Sequence, residues 1–273
     1  MKYDFSSYKK TLFVALAMLF VVPQVLLAQT EKPKNLLLYD QQPYHFGFIV
    51  GINQMAYTFD YKNEYQNILY GFQEHQGYDH DLVILDRVHD GIFDKDDIIF
   101  TNQEVVSAYK PGFTVGVVGN LRLAKYFDLR LIPSLSFGEK FVSYNYCIEG
   151  SNNKKSYKTD ATTARVVTID LPLLVKYRSK RHNNFAAYII AGGNPRFDLS
   201  PLYSGKKMIK SRVFDLAAEI GTGVDFYNGY FKFGIEAKMS FGLLNTLNYQ
   251  NNQYDASING LHNRMFQLSL TFE

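Results

Sequence analysis

The sequence predicts an all-β fold: an eight-stranded antiparallel transmembrane β-barrel with long external loops and short periplasmic turns. Three observations predict it. Residues 165–178, RVVTIDLPLLVKYR, alternate with period two. Val167, Ile169, Leu171, Leu173, Val175 and Tyr177 share one face, and Thr168, Asp170 and Lys176 the other. About ten alternating residues ending in an aromatic are what a membrane-crossing strand requires. The pattern recurs along the chain, and the connections alternate between long and short. Finally, aromatic residues gather at the short-turn ends of the strands, where an interfacial girdle belongs.

The bulk composition is compatible with this. Of 273 residues, 47% are hydrophobic and 16% aromatic, with 21 Tyr, 22 Phe and no Trp. A mean hydropathy of −0.18 argues against a helical membrane bundle, which needs repeated apolar runs of roughly 20 residues. It leaves room for a barrel, because half of each strand is polar. The formal charge of +3 is too small to point to nucleic acid. The single cysteine, Cys147, allows no intrachain disulfide, and no histidine stands near it in sequence to make it a nucleophile.

Residues 1–28 read as a signal peptide. Lys9 and Lys10 precede the apolar run 12–28, and Ala28 is the small residue at the cleavage point. This segment carries a net +2 and leaves +1 on the mature chain. No cysteine follows the cut, so a lipoprotein is not expected. Residues 29–44 are polar, contain Pro33 and Pro43, and form an extended periplasmic lead-in. The barrel takes up 45–273.

Strand one is 45–56, with Phe46, Phe48, Val50 and Ile52 on one face and Gly47, Gly51 and Asn53 on the other. A polar loop is expected over 57–105. Its Glu74, His75, Asp79, His80 and Asp81, or Asp94, Asp96 and Asp97, could meet a metal, but the spacing is not that of an EF-hand. A solvated acidic loop is the simpler reading, and no metal or cofactor is expected. Strand two is 112–123 and strand three 126–138, with a short turn between them. A loop over 145–162 leads to strand four, 165–178. Strand five is 185–197, and after a loop near 200–211 strand six is 213–227. Asn228–Gly229 is a hairpin signal before strand seven, 230–243. A polar loop, 245–263, precedes strand eight, 264–273.

On this pattern Phe46, Tyr126, Phe127, Tyr177, Phe185, Phe226, Tyr227, Tyr230, Phe231 and Phe272 form one girdle at the periplasmic end. Asp128, Arg130, Asp170, Lys176, Arg196, Asp215, Glu219, Asp225, Lys232, Glu236 and Lys238 point into the lumen. Eight strands enclose only enough room for side chains. Charges packed there must pair, so a salt-bridged plug is expected rather than a pore. Pro172 cannot donate to a ladder; it should interrupt the strand's pairing locally without ending the strand. A soluble sandwich or lipocalin-like barrel is the alternative fold, with the apolar face turned inward.

Two segments carry resemblances. IDLPLLVKYR in strand four, with LRLIPSLSFGEK at 129–140, resembles the outer-membrane β-barrel superfamily of Bacteroidota. The lead-in KPKNLLLYDQQPYHFGFIVGINQM, 32–55, resembles the start of the PorT (SprT) family of the type IX secretion system. The shared pattern is P-K-N-L at 33–36, the Tyr39–Asp40 pair, H-F-G-F at 45–48 and G-x-N at 51–53. That family often has proline at or beside Leu37, so the match departs slightly there. The resemblance implies a non-enzymatic outer-membrane component that supports export of proteins with C-terminal sorting signals, and in some relatives gliding motility. It implies no catalytic residues. It implies partners among other envelope proteins, with the lead-in and the first loop as contact surfaces, and no nucleic acid or small-molecule substrate. Two rivals stand beside it. One is a general barrel for adhesion or envelope integrity. The other is a barrel enzyme acting on lipid A, for which His262 with Ser257 is the only suggestive pair.

Overall fold

The computed structural model describes residues 34–62, 69–71, 99–149, 155–200, 209–249 and 257–273. The signal peptide and the acidic stretch with the candidate metal ligands Glu74 to Asp97 lie outside them. The elements in order are β1 (Tyr44–Tyr61), β2 (Leu69–Gly71), β3 (Ile99–Arg122), β4 (Phe127–Leu131) and β5 (Ser134–Glu149). They continue as β6 (Lys155–Asp170), β7 (Leu173–Arg178), β8 (Phe185–Asp198), β9 (Lys210–Ser211) and β10 (Phe214–Tyr227). The last are β11 (Lys232–Gly242), β12 (Leu247–Asn248) and β13 (Ile258–Phe272).

The long strands close into a ring, because β1 pairs with β13 on one side and with β3 on the other, both antiparallel. Eight strand paths make that ring, two of them split in assignment: β4 with β5, and β6 with β7. Closure leaves no edge with unpaired backbone groups facing lipid. The alternation predicted from sequence sets which side chain goes where. Val50, Phe113, Leu135, Val175, Ile220 and Leu268 are exposed on the outer wall. Arg130, Lys176, Glu236 and Thr271 are buried inside.

The split strands are caused by prolines, and neither strand ends. Ser134 pairs with Asp170 and Leu131 with Leu173, so the count is kept across the gap. The same holds against β8, where Asp170 pairs with Arg196 and Leu173 with Gly193. Three prolines on adjacent strands do the same thing. Pro133 accepts from the Val117 N–H (3.0 Å), Pro172 from Ile132 (3.1 Å) and Pro195 from Leu171 (3.1 Å). In each pair the proline has no N–H to return, so one bond of the usual two is missing. Leu171 N–H is shared with the Asn194 side chain at 3.0 Å. Pro172 thus interrupts the ladder without ending the strand, as expected. Because the register survives, Pro172→Ala should change stability by no more than about 1 kcal/mol. Urea unfolding of the refolded barrel measures it.

The strands run well past the predicted boundaries at the loop end. β3 begins at Ile99, inside the stretch expected to be loop, and β5, β6 and β13 extend to Glu149, Lys155 and Ile258. The face polarity reverses there. Val105, Val142, Tyr144, Tyr146, Leu247, Ile258 and Leu261 form an apolar cluster inside the ring. On the outward face of β6, Thr159, Ala161 and Thr163 are small and exposed, with Tyr157 a single exposed aromatic beyond them. Beyond the bilayer the outer wall meets water, so the apolar side turns inward, as in a soluble sheet.

Candidate functional site: a filled lumen closed by the lead-in

All eleven charged residues expected inside are buried there. They form connected groups. Near the short-turn end Arg130 reaches Glu236 at 2.6 Å and Glu273 at 2.9 Å. Lys176 reaches Asp225 at 2.6 Å, and Lys232 reaches Glu273 at 2.8 Å. Tyr188 sits among them, donating to Glu236 at 3.0 Å, with the Lys176 ammonium 3.7 Å from its ring centre. A band of apolar side chains follows: Ile49, Val118, Ile132, Leu174 and Ile190. Above it Asp170 takes Arg196 at 2.5 Å and also Ser136, Thr168 and Asn194, while Lys238 holds Glu219 at 2.8 Å. Asn263 bridges Lys140 and Asp215. The apolar cluster of the loop end lies beyond. Buried charges are tolerated because each tier brings both signs together, although one oxygen each of Asp215, Glu219, Asp225 and Glu236 accepts no hydrogen bond among the described residues.

Sequence reasoning missed several members. Lys140 and Asp198 stand on strand segments taken for a loop flank or left unassigned. Arg178 and Glu273 continue the inward period of β7 and β13, and that period could have found them. Asp40 belongs to the lead-in, where no periodicity points inward.

The described part of the lead-in, 34–44, is not extended. It turns through a short 3-10 segment, Tyr39–Gln41, and closes the short-turn mouth of the barrel. Tyr39 stacks flat on His45, ring centres 3.8 Å apart, and meets Tyr227 edge-on at 5.7 Å. Its hydroxyl donates to Glu273 at 3.3 Å. Asp40 pairs with Arg178, and with Arg181 at 3.6 Å. Asn35 donates to the Tyr227 carbonyl at 3.0 Å, and Asn184 accepts from the Lys34 and Asn35 backbones. Arg181 lies on the Tyr227 ring at 3.8 Å and holds the Asn35 and Leu36 carbonyls. Tyr227, expected in the lipid-facing girdle, is therefore turned inward as part of this closure. The inward period of β10 places it on the same side as Asp225. Phe46, Phe127, Tyr177, Phe185, Phe226 and Phe231, also expected in the girdle, are exposed and face outward, whereas Tyr126 is half-buried and stands two residues before inward Asp128.

Burial drives the Tyr39 hydroxyl above its usual range. Burial also pushes Glu273 up, but Lys232 and Arg130 outweigh it and hold the carboxyl well below the ordinary carboxylate range. A depressed carboxylate contributes stability above its unfolded-state pKa, and that contribution is lost as pH falls through the folded value. The Glu273 pairs are therefore complete at neutral pH and weaken only in strong acid.

With polar tiers, an apolar band, an apolar cap and a docked lead-in, the ring is packed along its described length. The wall pattern settles the class: apolar side chains out, charges in, and residues 27–248 match the family described as outer membrane protein beta-barrel domain. The chain belongs to that family. An outer-membrane barrel accounts for the exposed aromatic and aliphatic wall. Among solved structures the barrel is similar to the outer membrane protein OprG from Pseudomonas aeruginosa. Identity is 11%, coverage is 84% of this chain and 95% of that one, and the TM-score is 0.35. At that score OprG lends no detail to this chain. No curated protein matches it.

The pair considered for lipid A chemistry is not brought together as a dyad. His262 faces Asp60 at 3.1 Å on the outer side, while Ser257 is buried and its carbonyl accepts from Lys62. Among the described residues no group of three or more His, Cys, Asp or Glu could hold a metal. Cys147 is buried on β5. In planar bilayers this outer-membrane barrel should give no conductance of porin size, since an aqueous channel needs many more strands. Steady porin-like steps from the purified full chain would contradict the packed lumen.

Proposed function

We propose that this barrel is a non-enzymatic component of the type IX protein secretion system. In this reading it sits in the outer membrane with both termini in the periplasm. It supports export of proteins bearing C-terminal sorting signals, a role that the resembled family extends to gliding motility in some members. It works by contact with other envelope proteins and takes no cofactor or small-molecule substrate. The observation that carries the reading is the lumen. A ring filled by ion pairs and closed by its own lead-in suits a scaffold, because among the described residues its lumen is occupied by side chains rather than open to solutes. The secretion role itself is supported by the resemblance of residues 32–55 to the PorT family. The docked part of that segment is the part that folds against the barrel mouth, so its pattern has a structural reason as well.

Deleting the gene should trap sorting-signal cargo in the periplasm, and the intact gene supplied in trans should restore secretion. Normal cargo secretion in the deletion strain would sink the proposal. The general-barrel reading is favoured by the family match alone. It expects altered surface binding or envelope integrity with secretion intact, so the same strain separates the two.

A further inference from the structure

The short-turn end presents an unusual surface. Leu37 and Leu38 are 63% and 67% exposed, although the residues on both sides of them are pinned. Asn35 and Leu36 are held by Arg181 and Asn184, and Tyr39 and Asp40 by Glu273, Arg178 and Arg181. These anchors line the mouth of the lumen rather than the outer wall. The two leucines are thus displayed at the mouth, on a backbone held on both sides.

The charge around them is one-sided. The β3–β4 and β7–β8 turns are neighbours, since β4 pairs with β7 and Arg178 N–H donates to the Tyr126 carbonyl at 2.9 Å. They bring Lys125 and Lys180, both exposed, to the same end. The described carboxylates of this end are already committed or buried. Asp40 is taken by Arg178 and Arg181, Asp128 lies 3.7 Å from Arg178, and Glu273 is held by Arg130 and Lys232. An exposed apolar pair at the same end as two exposed lysines without a described carboxylate partner is complementary to a chain of opposite character.

We propose that Leu37, Leu38, Lys125 and Lys180 form a docking surface for an acidic protein segment that carries apolar side chains. This rests on the contact role proposed above and names the chemistry of the partner. A membrane surface is a poorer fit, because the residues that anchor the segment, Arg178, Arg181 and Glu273, line the mouth rather than the outer wall.

The test uses the full-length barrel in detergent micelles. The probes are a labelled Glu/Leu peptide, its Lys/Leu counterpart and phosphatidylglycerol vesicles. The Glu/Leu peptide should bind, weaken as salt rises, and lose about tenfold or more in affinity in Leu37→Ser/Leu38→Ser and in Lys125→Glu/Lys180→Glu. The Lys/Leu peptide should bind the charge-reversed variant better than the wild type. Unchanged heat-modifiable gel migration shows that each variant is folded. Equal Glu/Leu binding by wild type and both variants would overturn the proposal, as would a loss confined to vesicle binding. Cells carrying the charge reversal separate the two claims. Lost peptide binding with normal cargo secretion would leave the surface standing but show that secretion does not use it, while the deletion strain decides the secretion role itself.

Discussion

Arg130→Met should destabilise the barrel by about 3–5 kcal/mol, the cost of leaving a buried charge without its partner. Arg130 is completely buried and serves two carboxylates, at 2.6 Å and 2.9 Å. They are not equally dependent on it. Glu273 keeps Lys232 at 2.8 Å. Glu236 keeps only the Tyr188 hydroxyl, at 3.0 Å, among its described polar side-chain partners. The orphaned group is therefore Glu236. Adding Glu236→Gln should recover most of the loss, because a neutral amide is far cheaper to bury than a lone carboxylate. Denaturant unfolding in a defined bilayer measures both variants. If Arg130→Met unfolds within about 1 kcal/mol of the wild type, the pair is not buried as described.

Val50→Arg should cost about 2–4 kcal/mol in a bilayer, the penalty for arginine on a barrel's lipid face near the midplane. Val50 is an outward residue in the middle of the apolar band, flanked across the sheet by Val115 and Leu270, which are also exposed. Thr163→Arg is the control. Thr163 is outward too, but it lies beyond Val167 on the loop-end extension of β6. Near the interface the penalty falls to about 0–1 kcal/mol. Equal costs at the two sites would mean that the apolar band does not mark the bilayer. A soluble barrel with an inward apolar face would also fail this comparison, since an outward arginine would then be harmless at both positions.

Much of the fold was legible because lipid imposes a strict rule. Every spanning residue must choose between a hydrocarbon wall and a narrow interior, so period two is written plainly in stretches such as 214–227 and 264–272. The same rule identified the luminal charges, because no charge can stay on the wall. Outside the bilayer that pressure stops. Ser143 and Asn145 sit on β5 as naturally as in a loop, so the extensions of β3, β5, β6 and β13 were hidden. The described part of the lead-in, 34–44, was read as extended for a related reason. Its contacts are made one residue at a time, Tyr39 on His45 and Asp40 on Arg178, and no repeat announces them.

The sequence by itself determined the spanning strands, the sidedness of each residue within them and the need for charges to pair inside. Period two and the energetics of lipid leave little choice. Only the tertiary structure decided which charges meet. Arg130 and Glu236 are 106 residues apart, and their pairing depends on ring closure and strand stagger. It alone decided that three prolines align on neighbouring strands without shifting the register. It also decided that the lead-in folds back to close the mouth, because those contacts join side chains that share no local pattern.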